Sequence, residues 1–174
     1  MKGMNDAAVV TPSALLAMVM LAHPRDGISR SQLLVRTGYL MVYLGRKGSF
    51  KSGTLRAIID GVQDQLDSPP EAASQDLVPY GSLMTGEDLY RARILSRALE
   101  STVDETLGLM KRDHALEVID YGDEVAYKVR PKSRITLDFY KNNIVHLVSP
   151  EGLLATALLS ARGGGSIPYD ALRE

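Results

Sequence analysis

The sequence predicts a mainly α-helical protein with several helices and one small β-hairpin in its second half. Three observations lead to this fold class. Apolar residues recur at helical spacing in most stretches, two short apolar stretches flank a turn late in the chain, and Trp is absent while Phe is scarce. With 174 residues, 45% of them hydrophobic, the chain is long enough to bury a core of aliphatic residues, Met and Tyr.

The charge and the cysteine count exclude several classes of function. The net charge is −1, so the chain has no general basic field, and no nucleic-acid partner is expected. Cys is absent, which excludes disulfides, Cys-based zinc sites and a Cys nucleophile. The longest apolar run, residues 9–22, is shorter than the roughly 20 residues that a membrane span needs, so we expect a soluble fragment.

Two capping signals begin the first two helices. Thr11 followed by Pro12 predicts the start of a helix that is apolar nearly all round and therefore central to the core. Ser29, with Gln32 three residues later, predicts the start of the second helix. We expect Gly38 to bend or break this second helix.

A basic, Gly-rich loop over residues 45–53 precedes a third predicted helix over 54–66. Residues 67–86 are rich in Pro and polar residues and form the best candidate for an internal boundary. Thr85 then predicts the start of a long helix over 87–114.

The pattern changes after the long helix. Residues 116–120 and 125–129 flank a turn and predict a β-hairpin, so that this part is winged-helix-like. We divide the chain into a helical subdomain at 1–78, the helix and hairpin at 79–131, and C-terminal helices at 132–174, or a single domain.

The C-terminal third is predicted to hold three helices. The first follows Pro131 and Ser133, with Ser133 as its N-cap. The second covers residues 152–161, and the third begins at 167 after a flexible Gly-rich joint at 163–165.

The first of these helices carries an unusual polar cluster. Asn is a poor helix former, yet Asn142 and Asn143 stand side by side among apolar residues, and His146 follows. We expect these three side chains to bond neighbouring helix ends or another domain. The candidate structural or docking cluster consists of Tyr140, Lys141, Asn142, Asn143 and His146.

No catalytic constellation emerges from the residues. His23 and His114 stand at predicted helix ends, and no two His have metal-ligand spacing, so no catalytic, cofactor or metal residue is assigned and no cofactor is expected. Residues 48–54 look like a phosphate loop only superficially, because the Lys expected before Thr54 is missing. The adjacent carboxylates Asp104-Glu105 and Asp123-Glu124 are interpreted as solvated surface residues with no acid–base role.

Two stretches resemble one enzyme family. They are AVVTPSALLA at residues 8–17, followed by a helix and a turn into GISR at 27–30, and FYKNNIVH at residues 139–146. Their order and separation resemble the C-terminal region of bacterial glycerol-3-phosphate and dihydroxyacetone-phosphate acyltransferases. The resemblance covers essentially the whole chain.

The resemblance implies that the parent protein transfers an acyl group from acyl-CoA or acyl-carrier protein to glycerol 3-phosphate in phospholipid biosynthesis. It implies an inner-membrane-associated parent, acting on the cytoplasmic side. The partner of this chain would be the catalytic acyltransferase domain of the same polypeptide, and the membrane surface is a further candidate partner.

The family's His-x4-Asp motif is missing here. The residues five positions after the three His are Ile28, Ile119 and Glu151. The Phe-Pro-Glu-Gly-Thr-Arg block is also missing, so we expect the chain to be inactive alone. The alternative hypothesis is a winged-helix-type interaction or DNA-binding module, against which the acidic hairpin tip at Asp123 and Glu124 argues.

Overall fold

The computed structural model describes residues 9–23, 27–48, 50–69, 85–150 and 152. These residues form seven α-helices: α1 (Pro12–Leu21), α2 (Arg30–Arg46), α3 (Gly53–Asp60), α4 (Gln63–Asp67), α5 (Gly86–Ala98), α6 (Glu100–Arg112) and α7 (Arg134–Val145). They also form five strands: β1 (Val9–Val10), β2 (Ile28–Ser29), β3 (Phe50–Lys51), β4 (Leu116–Asp120) and β5 (Val125–Val129). The predicted fold class, mainly α with a small hairpin, is confirmed.

Helix α1 lies at the centre of the core because nearly every side of it is apolar. Thr11 Oγ1 accepts a hydrogen bond from the Ala14 amide at 3.2 Å, and Pro12 occupies the first turn, as predicted. Leu15 and Leu16 are both fully buried. Neighbouring elements α2, α6, α7 and β5 pack around the helix, and each of its residues is buried or partly buried.

Helix α2 runs unbroken through Gly38, contrary to the bend or break expected there. A Cβ atom at this position would lie 2.3 Å from Ser96 Oγ and 2.4 Å from the Ala92 carbonyl oxygen. The glycine therefore serves a close approach of α2 to α5 and does not interrupt the helix. Ser29 caps α2 as predicted, since its Oγ accepts from the Gln32 amide at 3.3 Å.

Two predicted helices are each divided in the structure. The helix expected over 54–66 consists of α3 and α4, separated at Gly61 and Val62. The helix expected over 87–114 consists of α5 and α6, separated at the buried Leu99. The division lets the two halves pack differently, because α5 lies mainly against α2 while α6 lies against α1.

The sheet of the second half is completed by a strand from the first half. Strands β4 and β5 form the predicted hairpin, with Leu116 opposite Val129 and Asp120 opposite Val125. Strand β2 pairs with β5 in the antiparallel direction, which gives the strand order β2-β5-β4. Helix α1, strand β2, helix α2, the α5–α6 unit and the β4–β5 hairpin follow one another as in a winged helix, with β3, α3 and α4 inserted between α2 and α5.

A second, smaller strand pair joins the start of the chain to the predicted basic loop. Strands β1 and β3 are parallel, with Val9 opposite Phe50. The Ser52 amide also donates to the Val10 carbonyl at 2.8 Å, and the Ser52 side chain caps α3.

One hydrophobic cluster includes residues from all three proposed segments of the chain. Leu16 comes from 1–78, Leu107 from 79–131 and Ile144 from 132–174, and all three are buried. The expectations for residues 70–84, 153–161, 163–165 and 167–174 lie outside the described residues.

Candidate functional site

Helix α7 carries the predicted polar cluster, and two buried residues fix its orientation. Leu137 and Ile144, two helical turns apart, are buried where α7 packs against α1. Ser133 occupies the N-cap position of α7, as predicted, but its side chain makes no capping hydrogen bond. The same residue closes a 3-10 turn, with its amide donating to the Arg130 carbonyl at 2.9 Å, and this turn leads directly into the helix.

The opposite face of α7 exposes large apolar side chains. Ile135 is 81% exposed, Phe139 is 68% exposed, and Tyr140 beside them is 37% exposed. The rings of Phe139 and Tyr140 meet edge to face, with their centroids 6.1 Å apart. Asn142 and Asn143 are also exposed, and we call these five residues the α7 surface: Ile135, Phe139, Tyr140, Asn142 and Asn143.

The structure brings only part of the predicted cluster together. Tyr140, Asn142 and Asn143 belong to the α7 surface, whereas Lys141 turns toward its own helix, where its Nζ lies 2.6 Å from Asp138 Oδ1. The two Asn side chains make no hydrogen bond to any described residue, so they do not bond neighbouring helix ends within the described part of the chain.

His146 differs from the α7 surface in its burial. It is the first residue after α7, it is partly buried, and its Nε2 has no hydrogen-bond partner among the described residues. A buried ring nitrogen without a partner costs about 1–3 kcal/mol, so this residue is poorly satisfied in the described part of the molecule.

Sequence reasoning missed Ile135 as a member of this site. Its signal was its position four residues before Phe139 and seven before Asn142, which places all three on one helical face. A buried helix face was recognised from its apolar residues, but the same spacing also gives a second, exposed apolar stripe.

A cavity of about 240 Å³ borders the α7 surface. Thr136 and Tyr140 line it from α7, and Leu109 and Met110 line it from α6. Leu109 is itself 45% exposed, so the apolar area continues from α7 onto α6. The cavity itself has a mixed lining, because Ser13, Thr106 and Asp113 border it beside these apolar side chains.

The other two histidines occupy helix ends. His23 Nδ1 lies 3.0 Å from the Val19 carbonyl oxygen at the end of α1. His114 follows α6 with a positive φ of 53° and makes the turn that ends this helix. Within the described ranges, no three His, Asp or Glu residues are grouped so that they could hold a metal ion.

The acidic side chains of α6 and of the hairpin turn are hydrogen-bonded within the molecule. On α6, Asp104 accepts two hydrogen bonds from the Arg30 guanidinium at 2.8 and 2.6 Å, and Glu100 accepts a third at 2.8 Å. At the hairpin, Glu124 accepts a hydrogen bond from the Ser31 hydroxyl. A surface with these carboxylates repels a phosphate backbone.

No helix in the described ranges is both long and apolar enough to cross a membrane. A protein-family model, that of the glycerol-3-phosphate acyltransferase C-terminal region, matches residues 1–69 and 74–174. No curated protein and no solved structure matches the chain.

Proposed function

The chain belongs to the glycerol-3-phosphate acyltransferase C-terminal region family, and we propose that it is the non-catalytic helical portion of a glycerol-3-phosphate 1-O-acyltransferase. In this proposal the chain docks on the catalytic acyltransferase domain of the same polypeptide. The α7 surface is the observation that carries the docking role, because it leaves two large apolar side chains, Ile135 and Phe139, mostly in water.

The absence of a catalytic role is supported by the sequence. A general base of the His-x4-Asp type needs a carboxylate five positions after His, and His23 and His114 are followed there by Ile28 and Ile119. For His146 the residue is Glu151, but Pro150 lies between them, and the buried Nε2 of His146 is unsuited to receive a proton from a dissolved substrate.

A kinetic assay tests this part of the proposal. The purified chain is incubated with labelled glycerol 3-phosphate and either acyl-CoA or acyl-carrier protein carrying an acyl group. We expect no turnover above the uncatalysed background with either donor. Turnover that persists through repeated purification would overturn the proposal that the chain is catalytically silent.

The docking role is tested with variants of the α7 surface. Phe139→Asp and Ile135→Asp place a charge on exposed positions that do not support the core. We expect each to weaken binding to the separately expressed catalytic domain of the parent polypeptide by about tenfold or more, measured by calorimetry.

Val35→Asp is the matched control for these variants. Val35 is an exposed apolar residue, like Ile135, but it lies on α2. The Val35→Asp variant should leave the affinity for the catalytic domain unchanged. Equal binding by the wild type and both α7 variants would show that the catalytic domain contacts another face.

The parent is proposed to act in phospholipid biosynthesis on the cytoplasmic side of the inner membrane, with acyl-CoA or acyl-carrier protein as donor. Family membership supports this proposal. A contact between this chain and the membrane surface is part of the same proposal, and a flotation assay with the whole parent, with and without residues 1–174, tests it.

The winged-helix topology favours one alternative, a protein-interaction module that acts independently of acyl transfer. The carboxylates of Asp104 and Glu124 argue against DNA as its ligand. We expect no salt-dependent change in fluorescence anisotropy with labelled duplex DNA. A change that falls as salt rises would favour the DNA-binding alternative.

A further inference from the structure

The cavity beside the α7 surface has the size of a site for one side chain. It measures about 240 Å³, whereas pockets that enclose a whole small molecule hold roughly 300–1,000 Å³. Tyr140 lines it, and the ring of Tyr140 meets the exposed ring of Phe139. A protein that covers the α7 surface therefore also covers this cavity and can place one of its own side chains there.

Most of the polar groups in the lining are hydroxyls, which can accept hydrogen bonds. Four of them make no hydrogen bond with a described residue, namely those of Ser13, Ser133, Thr136 and Tyr140. The hydroxyl of Thr106 already donates to the Thr102 carbonyl at 2.7 Å, so it can only accept a further bond. These residues come from α1, α6 and α7, so the cavity offers acceptors on more than one side.

Of the described residues that line the cavity, only Asp113 is charged. It lies exposed at the end of α6, and its side chain makes no ion pair or hydrogen bond with a described residue. The carboxylate is therefore free to turn to a ligand. An ionised carboxylate only accepts hydrogen bonds, so the favoured occupant is a cation that carries N–H donors.

The cations nearest to Asp113 along the chain do not neutralise the lining. Lys111 and Arg112 precede Asp113, while Lys132 and Arg134 lie around the start of α7. All four are exposed and none of them lines the cavity. Their solvent-screened repulsion lowers the affinity for a cation that is free in solution. A cation attached to a protein that also contacts the α7 surface is therefore favoured over a dissolved one.

We infer that the catalytic acyltransferase domain places an arginine side chain in this cavity when it docks on the α7 surface. The inference rests on the proposed docking role and adds the chemistry of the partner. Asp113 takes the charge, the hydroxyls accept the remaining N–H groups, and the ring of Tyr140 provides a face for the guanidinium plane. Arginine suits this lining better than lysine, because its five N–H donors reach acceptors spread over several helices.

Derivatives of single amino acids test the cavity without the catalytic domain. N-acetyl-arginine methylamide is titrated into the isotope-labelled chain, and NMR follows the amides of Ala115, Thr136 and Tyr140, which border the cavity. We expect saturable shifts with millimolar affinity, since a single side chain supplies all the contacts. Absence of saturable shifts at these amides would overturn the inference.

Two further derivatives separate charge from shape. N-acetyl-citrulline methylamide has nearly the same shape as the arginine derivative but no charge, and it should bind at least about tenfold more weakly. N-acetyl-lysine methylamide keeps the charge but not the planar group, and it should bind about threefold to fivefold more weakly. Equal affinity for citrulline would exclude a cation site, and equal affinity for lysine would overturn the assignment to arginine.

Two variants at exposed positions test the location. Asp113→Asn removes the charge at nearly constant size and should weaken binding of the arginine derivative about tenfold. Thr136→Phe places a ring at the edge of the cavity and should abolish this binding. Unchanged affinity in folded Asp113→Asn would overturn the inference.

The matched controls change the same residue types away from the cavity. Asp123→Asn alters an exposed carboxylate of the hairpin turn, and Thr54→Phe alters an exposed residue of α3. Both should bind the arginine derivative as the wild type does. Weakening by these controls equal to that of the cavity variants would show that the arginine derivative binds elsewhere and would overturn the inference.

Calorimetry with the catalytic domain separates this inference from the docking role itself. Asp113→Asn should weaken docking about fivefold to tenfold, and Asp123→Asn should not change it. Weaker docking by Phe139→Asp but not by Asp113→Asn would leave the docking role standing and overturn the arginine contact. Docking that neither variant weakens would overturn both proposals, even if the chain binds the arginine derivative.

Discussion

At the scale of single residues, Gly38 sets how closely α2 approaches α5. The position of its missing Cβ is already taken by Ser96 and by the backbone of Ala92, and a backbone oxygen cannot rotate away. Ser96 is held in turn, because its hydroxyl donates to the Ala92 carbonyl at 2.7 Å. The packing of the two helices thus depends on the absence of one methyl group.

We therefore expect Gly38→Ala to lower the free energy of unfolding by about 1–3 kcal/mol, although alanine is the better helix former. Gly45→Ala in the same helix is the control, since its Cβ would meet nothing within 4 Å. It should raise stability by about 0.5–1 kcal/mol. Urea denaturation of both variants measures the contrast, and two changes of the same sign would contradict the packing argument.

His114 stores strain at the end of α6. It adopts a positive φ of 53° at the position where glycine is usual. Two hydrogen bonds complete a Schellman motif: the His114 amide donates to the Lys111 carbonyl at 3.0 Å, and the Ala115 amide donates to the Met110 carbonyl at 2.9 Å. A side chain in this conformation costs free energy that glycine does not pay.

His114→Gly should accordingly stabilise the protein by about 1 kcal/mol, which corresponds to a rise in Tm of about 2–4 °C for a chain of this size. His114→Val should destabilise it, since a β-branched residue tolerates a positive φ least. Thermal unfolding followed by circular dichroism gives both values. A lower Tm for the glycine variant would mean that the imidazole itself makes a stabilising contact.

At the scale of elements, Arg30 joins the start of α2 to α6. Its guanidinium holds the pKa of Asp104 below the usual range, chiefly through their hydrogen bonds, and the pKa of Arg30 is raised in turn. A carboxyl with a lowered folded-state pKa contributes its full stabilisation above the unfolded-state pKa of about 4. This contribution is lost as the pH falls through the lower, folded-state value.

Asp104→Asn should therefore be less stable than the wild type at pH 7, and the difference should shrink as the pH falls below about 4. Urea unfolding at several pH values tests this. Glu105→Gln, which removes an exposed carboxylate of the same helix outside the Arg30 network, is the control and should change stability little. A difference that is constant with pH would show that Arg30 does not act through the charge of Asp104.

The elements differ in how far the sequence could predict them. The helix starts at Thr11, Ser29 and Thr85 were predictable because capping depends on residues within one turn. The pairing of β2 with β5 was not, because two-residue strands have no periodicity and their partners are distant in sequence. The division at Leu99 likewise depends on packing against α1 and α2.

The candidate site shows the same limit. The identity of α7 and its buried stripe followed from local spacing, and Leu137 and Ile144 are buried as that spacing predicts. Whether Asn142 and Asn143 face solvent or a neighbouring helix depends on which side of α7 the rest of the chain covers. A local pattern contains no information on that choice.

At the scale of the whole molecule, the shared hydrophobic cluster predicts cooperative unfolding. Ile144 of α7 and Leu16 of α1 belong to one buried cluster, together with Leu107 of α6. Calorimetry should show a single unfolding transition. Ile144→Ala should lower the free energy of unfolding by about 2–5 kcal/mol and move this whole transition to lower temperature. Two separate transitions would favour independent domains at 1–78, 79–131 and 132–174 instead.

The central position of α1 also has a consequence for synthesis on the ribosome. This helix leaves the ribosome well before α7, one of its main packing partners, which lies more than 100 residues later in the chain. At ribosomal rates of ~5–20 residues per second, the most apolar helix waits several seconds before α7 can cover it. During that interval the side of α1 that α7 will cover stays open to non-native apolar contacts, and its burial depends on the arrival of α7.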